Sequence, residues 1–357
     1  MIASRSTFAS SIRRMLRLAG TGAGAFLLAF GSADAAIGIS GDDPQLFEEV
    51  RQADLKVATI GWRLASGNAA LCDRLEAGTG MQLHTLDQFD SASRDAAGKY
   101  FGFATPVAIE AVVPGSPAER AGLKADDSLV HVGPVEISKL PGKPVSTDRL
   151  VAAQRAIAEL PADASIEIEA LRAGAALRVT LQPVPVCKSR FELRIANDWG
   201  ASADGTMVQI GSRFIEEYSE DQVAGVIAHE LSHNILRHRE RLEARGVSFG
   251  MLSGFGKSVK YFRQTELQAD LLSVYLLANA NYPLRATIDF WKAFGPSKAG
   301  GILRSRSHPA WRDRVATMEA EIAKVETLSG RPVVPAMIAD RALPLNGNWE
   351  ALLVRHR

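Results

Sequence analysis

The stretch His229-Glu230-Leu231-Ser232-His233 constrains this chain more than any other feature, because it lies inside a helical pattern of apolar residues (Val223, Val226, Ile227, Leu231, Ile235). Four residues turn an α-helix through about 400°, so the two imidazoles stack one turn apart on one face and can grip a single ion from one side. Neutral imidazole suits zinc, and the opposite side is left for water. Glu230 projects beside that water and can take its proton as general base. A domain built around such a helix must bring a third ligand to it from elsewhere in the chain.

A metzincin would carry Gly at position 236 and His at 239; this chain has Leu236 and Arg239, which excludes that solution. The other common source is a carboxylate on a following helix. Glu266-Leu267-Gln268-Ala269-Asp270 places Glu and Asp four residues apart on one face. Glu266 is therefore assigned as third ligand of one Zn2+ per chain. Asp270 is assigned to accept the second N–H of a ligand histidine, which fixes the tautomer of that ring. His238, five residues beyond His233, falls off the metal face and reads as structural. His84, His131 and His356 have no partners that single them out.

Taken with Ser307-His308-Pro309 and Arg314, these motifs resemble the HtpX-like zinc metalloproteases, a family that also contains the CAAX prenyl endopeptidases. The resemblance covers roughly residues 191 to 327. It implies a gluzincin-type endopeptidase cleaving protein substrates, and it places His308 near the metal, as a catalytic donor to the oxyanion or a packed loop residue. The chain departs from the membrane-bound members in lacking their transmembrane helices. A catalytically silent zinc-site scaffold or chaperone is the alternative, and a hydrolase of non-peptide substrates a third; the intact Glu230 speaks against the scaffold.

Val112 to Leu123 (VVPGSPAERAGL) resembles the PDZ signature: a strand end, a Pro-Gly turn, then a short helix capped by Ser116 and ended by Gly122. Phe101-Gly102-Phe103 matches that family's carboxylate loop, which implies a peptide-binding groove between the following strand and a helix over about 147–160. Protein or peptide substrates, C-terminal segments among them, are the partners this implies. A net charge of +1 gives no reason to expect nucleic acid.

The N-terminus has a basic start (Arg5, Arg13, Arg14, Arg17), an apolar run from Leu18 to Phe30, and Ala33-Asp34-Ala35 as a cleavage site. This reads as a secretory signal over 1–35 and a periplasmic or secreted protein, the rival being an uncleaved anchor facing the periplasm. Cys72 and Cys187, the only cysteines, are a disulfide candidate in an exported chain, bracketing the PDZ-like segment.

The expected fold class is α+β. A mainly helical zincin-type domain with a small β-sheet (36–96 and 186–357) is interrupted by a β-rich PDZ-like domain (97–185). A helix opens at Asp43-Pro44 and strands are expected at Phe191–Ile195 and Thr206–Ile210, the latter able to pair with substrate. Helices follow at about 220–241, 261–280, 284–294 and 309–327.

Overall fold

A computed structural model describes residues 44–247, 256–298 and 308–356; the expected leader at 1–35 and Ser307 lie outside the described residues. Helix α1 (Pro44–Gly67) opens with proline, whose missing N–H costs nothing in a first turn. Its first turns bury Leu46, Phe47 and Val50 against Phe89 and Phe101. Further along, Ala53, Val57, Ile60 and Leu64 enter the main core. One amphipathic helix thus ties together two separately packed units.

The first unit runs through β1 (Leu75–Gly78), β2 (Met81–Thr85), α2 (Arg94–Phe101), β3 (Val107–Val112) and α3 (Pro117–Arg120). It continues with β4 (Ser128–Val132), β5 (Val135–Glu136), α4 (Asp148–Ala158), β6 (Ile166–Arg172), β7 (Ala175–Leu181) and β8 (Val184–Cys187). An antiparallel sheet of order β2-β3-β4-β6-β7, with β5 beside β4, carries Leu83, Ile109, Leu129 and Ile168 in its core. Helix α4 adds Leu150, Ala153 and Ile157 to that core. The β6–β7 turn falls at Ala173-Gly174, both with positive φ, as a two-residue hairpin requires. Ser116 Oγ accepts the Glu119 N–H at the start of α3, as the sequence leads one to expect.

Two expectations need correction here. The sheet begins at Met81, before the expected boundary at 97, because Met81–Thr85 pairs antiparallel with Val107–Val112. Phe101-Gly102-Phe103 does not form a carboxylate loop. Phe101 ends α2 and is buried against Phe47 and Phe89, and Gly102 is its left-handed C-cap (φ 64°), donating to Gly98 O. Glycine ends a helix there for the same reason it suits a loop: it has no Cβ to resist positive φ. The link that precedes the edge strand β2 is instead Thr79-Gly80, which follows directly on β1.

At the neck of this unit β1 pairs with β8, and Cys72 is disulfide-bonded to Cys187 beside them. The crosslink spans 115 residues of sequence. On the loop-entropy model, closing so long a loop is worth about 4–5 kcal/mol against unfolding.

The second unit contains β9 (Arg190–Arg194), β10 (Ala201–Ala203) and β11 (Met207–Gly211) in the order β10-β11-β9. Strand β11 is central, antiparallel to β10 and parallel to β9. Both of its edges are used, so Thr206–Ile210 cannot accept a substrate strand; among the described residues the outer edges of the sheet belong to β10 and β9. Helices α5 (Ser212–Glu217), α6 (Glu220–Ile235), α7 (His238–Glu243), α8 (Val259–Asn279), α9 (Ala286–Lys298) and α10 (Trp311–Val325) follow. Helix α6 packs on both α8 and α9, and α10 packs on α8. Gly225 lets α6 approach closely, since a Cβ there would lie 2.9 Å from Thr287 Cα. Among the described residues no helix is long and apolar enough to cross a membrane.

Where the units meet, α1 and β3 bury two acids, Asp54 and Glu110. Burial, aided by the charge of Glu192, pushes Asp54 up to about 7; burial and the charge of Asp54 push Glu110 well above its ordinary range. A carboxyl raised in this way holds its proton in the native state, so its contribution is full below about pH 4 and is lost as pH rises toward 7. Asp54→Asn keeps an oxygen for the Leu193 N–H. It is expected to stabilise the fold by about 1–3 kcal/mol at pH 8 and to change little at pH 4. Denaturant unfolding at the two pH values checks this; equal stability of both proteins at pH 8 would contradict it.

Candidate metal centre

Helix α6 starts with a capping box: Ser219 Oγ accepts the Gln222 N–H and Gln222 Oε1 accepts the Ser219 N–H. Glu220 and Asp221 in the first turn suit the positive end of the helix. The buried stripe Val223, Val226, Ile227, Leu231 and Ile235 fixes the rotation of α6, and this turns His229 and His233 toward α8. Their rings sit 4.9 Å apart, with Nε2 atoms separated by 3.2 Å.

Glu266, on α8, closes the group. Its Oε2 lies 3.4 Å from His229 Nε2 and its Oε1 3.7 Å from His233 Nε2. Ligands about 2.0–2.1 Å from a tetrahedral zinc ion stand roughly 3.3 Å apart, so the three residues fit the ion in type and in mutual spacing. These three form the candidate metal group among the described residues. All three side chains retain some exposure, between 13% and 17%, which leaves an approach from solvent.

His308 joins them: its Nε2 is 3.4 Å from Glu266 Oε2 and its side chain is 31% exposed. Glu230 follows His229 on α6, half-buried, and lies near enough to Arg314 for its charge to be felt there.

Behind the cluster Asp270 stands beside His229 as the sequence reading expects, and it is paired with Arg314, a contact the sequence did not disclose. Asp270 Oδ1 lies 3.0 Å from His229 Nδ1. The same carboxylate receives a two-pronged grip from Arg314 on α10, with Nε to Oδ2 at 2.6 Å and Nη2 to Oδ1 at 2.7 Å. Asp270 and Arg314 are both almost wholly buried, and the guanidinium lies 4.2 Å from the centre of the Trp291 ring. Arg314 Nη2 also comes within 3.5 Å of Glu266 Oε2.

The electrostatics follow from these neighbours. Burial would push His229 down, but Asp270 and Glu266 outweigh it and lift the imidazole to about 10. His233 falls to about 3, because burial dominates and Glu266 offsets it only in part. Burial would raise Glu266, but the charge of His308 and the histidines beside it hold it well below the usual carboxylate range.

His238 is not where a continuous helix over 220–241 would put it. The chain breaks between α6 and α7, with Arg237 at φ 53°, and this reversal tucks His238 under His233. Its Nδ1 is 2.9 Å from His233 Nδ1 and its Nε2 3.2 Å from Gln268 Oε1. The spacing of five residues gives no hint of this contact. Only the left-handed residue between the helices produces it.

The family model described as Peptidase family M48 matches residues 195–260, a segment that includes β11, α6, His229 and His233. No curated protein matches the chain. The M48 match supports the M48 metalloprotease family, whose activity is that of zinc-dependent metallopeptidases. His229, His233 and Glu266 form a group that could hold a metal ion.

Proposed function

We propose that the protein is an exported endopeptidase that hydrolyses peptide bonds in protein substrates, with His229, His233 and Glu266 holding zinc and Glu230 as general base. The observation that carries this reading is the convergence of two imidazoles and a carboxylate, 3.2–3.7 Å apart, beside a glutamate on the same helix. Bound zinc supplies Lewis-acid polarisation and lowers the pKa of water. Glu230 takes the proton of the attacking water and delivers it to the leaving amine. His308 is assigned as the donor toward the charge that develops on the scissile carbonyl oxygen, a reading supported by its position beside Glu266 and its partial exposure. Backbone pairing of the substrate falls to the free edge of β10, next to α6.

Export is supported by the basic, then apolar, then Ala-Asp-Ala sequence of the first 35 residues and by the disulfide. The first unit serves as a docking module for polypeptide. Its groove lies between the edge strand β2 and α4, where Gly78, Met81, Leu83, Gln154 and Ile157 line a cavity of about 150 Å³ that also touches Trp62 and Phe191.

Purified protein is expected to cleave casein, to lose that activity with a chelator and to regain it with zinc. Chelator-resistant cleavage would contradict the reading. A charge placed in the groove by Gln154→Glu is expected to change which proteins of a mixture are cut first, and an unchanged fragment pattern would remove the docking role.

A further inference from the structure

We infer that His238 is a positioning residue for the metal centre: it sets the tautomer of His233 and so aims that ligand's lone pair at the ion. The inference rests on the zinc-centre reading and goes beyond the ligand set and its general base.

At the far end of this hydrogen-bond chain lies a group whose direction is fixed. Arg241 is donor-only. It is nearly buried, and its guanidinium is pinned by the carbonyls of Leu236 (Nη1, 3.3 Å) and Leu343 (Nε, 3.0 Å). The same Nη1 lies 3.3 Å from the Gln268 side chain, so the atom Gln268 presents must be its oxygen. His238 Nε2 faces that oxygen at 3.2 Å and must donate to it. A neutral imidazole carries one proton, so His238 Nδ1 is then an acceptor. It meets His233 Nδ1 at 2.9 Å, and two ring nitrogens at that distance cannot both carry hydrogen. The proton between them therefore belongs to His233. Its Nε2, which faces His229 Nε2 and Glu266, is left with a free lone pair.

Four residues from α6, α7 and α8 thus pass one hydrogen-bond direction from a fixed cation to a metal ligand. The two ligand histidines are served differently. His229 faces the carboxylate of Asp270, whereas His233 faces a neutral ring. The second support adds no negative charge to a site that already holds Glu266 and Asp270. Support of this kind behind a ligand typically changes metal affinity 10- to 100-fold.

The test is zinc affinity of the mature full chain, measured by chelator competition, with the tautomer of His233 read by long-range 15N–1H NMR of histidine-labelled protein. His238→Leu keeps the volume but removes the acceptor. It is expected to weaken zinc binding about 10- to 100-fold. His238→Asn returns an oxygen to the position of Nδ1 and is expected to stay within about fivefold of wild type. The wild-type spectrum is expected to show His233 protonated at Nδ1. Zinc binding by H238L equal to wild type, or a His233 proton on Nε2, would overturn the inference.

Should H238L fail to fold, Gln268→Leu frees His238 to turn its proton around. A mixed His233 tautomer with weaker zinc binding is then expected, and an unchanged spectrum and affinity would again overturn it. Wild type that binds no zinc would sink the metal centre itself. The NMR reading needs no metal, so it separates that failure from a failure of the relay.

Discussion

Glu230→Gln is expected to lower peptide-bond hydrolysis by about 10²–10⁴-fold while leaving zinc bound. The amide fills the same space beside His229 but cannot take a proton from water. The histidines and Glu266 that would hold the ion are untouched, and the buried stripe that orients α6 is unchanged. The comparison needs turnover and zinc content measured on the same preparation. Activity retained by the pure variant would favour the scaffold alternative, in which Glu230 has no chemical task. Loss of zinc together with activity would mean that Glu230 helps to build the site rather than to move the proton.

Arg314→Leu is the substitution with the largest expected effect on stability. Arg314 and Asp270 are buried together with two short contacts between them, and removing the cation leaves a carboxylate shut away from water. Breaking a buried pair from one side costs about 3–5 kcal/mol. Arg314→Lys keeps the charge but loses the fork, and is expected to fall between Leu and wild type. Because Asp270 also faces His229 Nδ1, zinc affinity is expected to drop in the same order as stability. Urea unfolding checks the first point and chelator competition the second. A Leu variant within about 1 kcal/mol of wild type would contradict the account of this pair.

The parts of the centre that were legible in the sequence are those fixed by local periodicity. His229 and His233 share a helix face because four residues nearly complete a turn, and Glu266 and Asp270 repeat the same spacing on α8. The cysteines could be paired because they flank one inserted segment. What escaped depends on contacts between distant elements or on backbone conformations that residue type does not announce. Arg314 stands 44 residues beyond Asp270, so its grip on that carboxylate has no local signature. His238 reaches His233 only because Arg237 adopts positive φ, a conformation arginine seldom takes.

The first unit gives the same lesson from the side of the backbone. Met81-Gln82-Leu83-His84-Thr85 has little β-branched character, and its burial of His84 between Phe101 and Phe103 comes from tertiary packing. Phe101-Gly102-Phe103 could be read as a loop because glycine serves loops and helix caps alike; the contact of Phe101 with Phe47 on α1 decides between them. Strand β11 was recognisable as a strand, but its central place in the sheet rests on the partners β9 and β10.

The most direct test of the proposed metal centre is elemental analysis of purified wild type beside Glu266→Ala after dialysis against a weak chelator. One zinc ion per wild-type chain, largely lost from the variant, is the predicted result; a zinc-free wild type, or a variant that holds zinc as firmly, would contradict it.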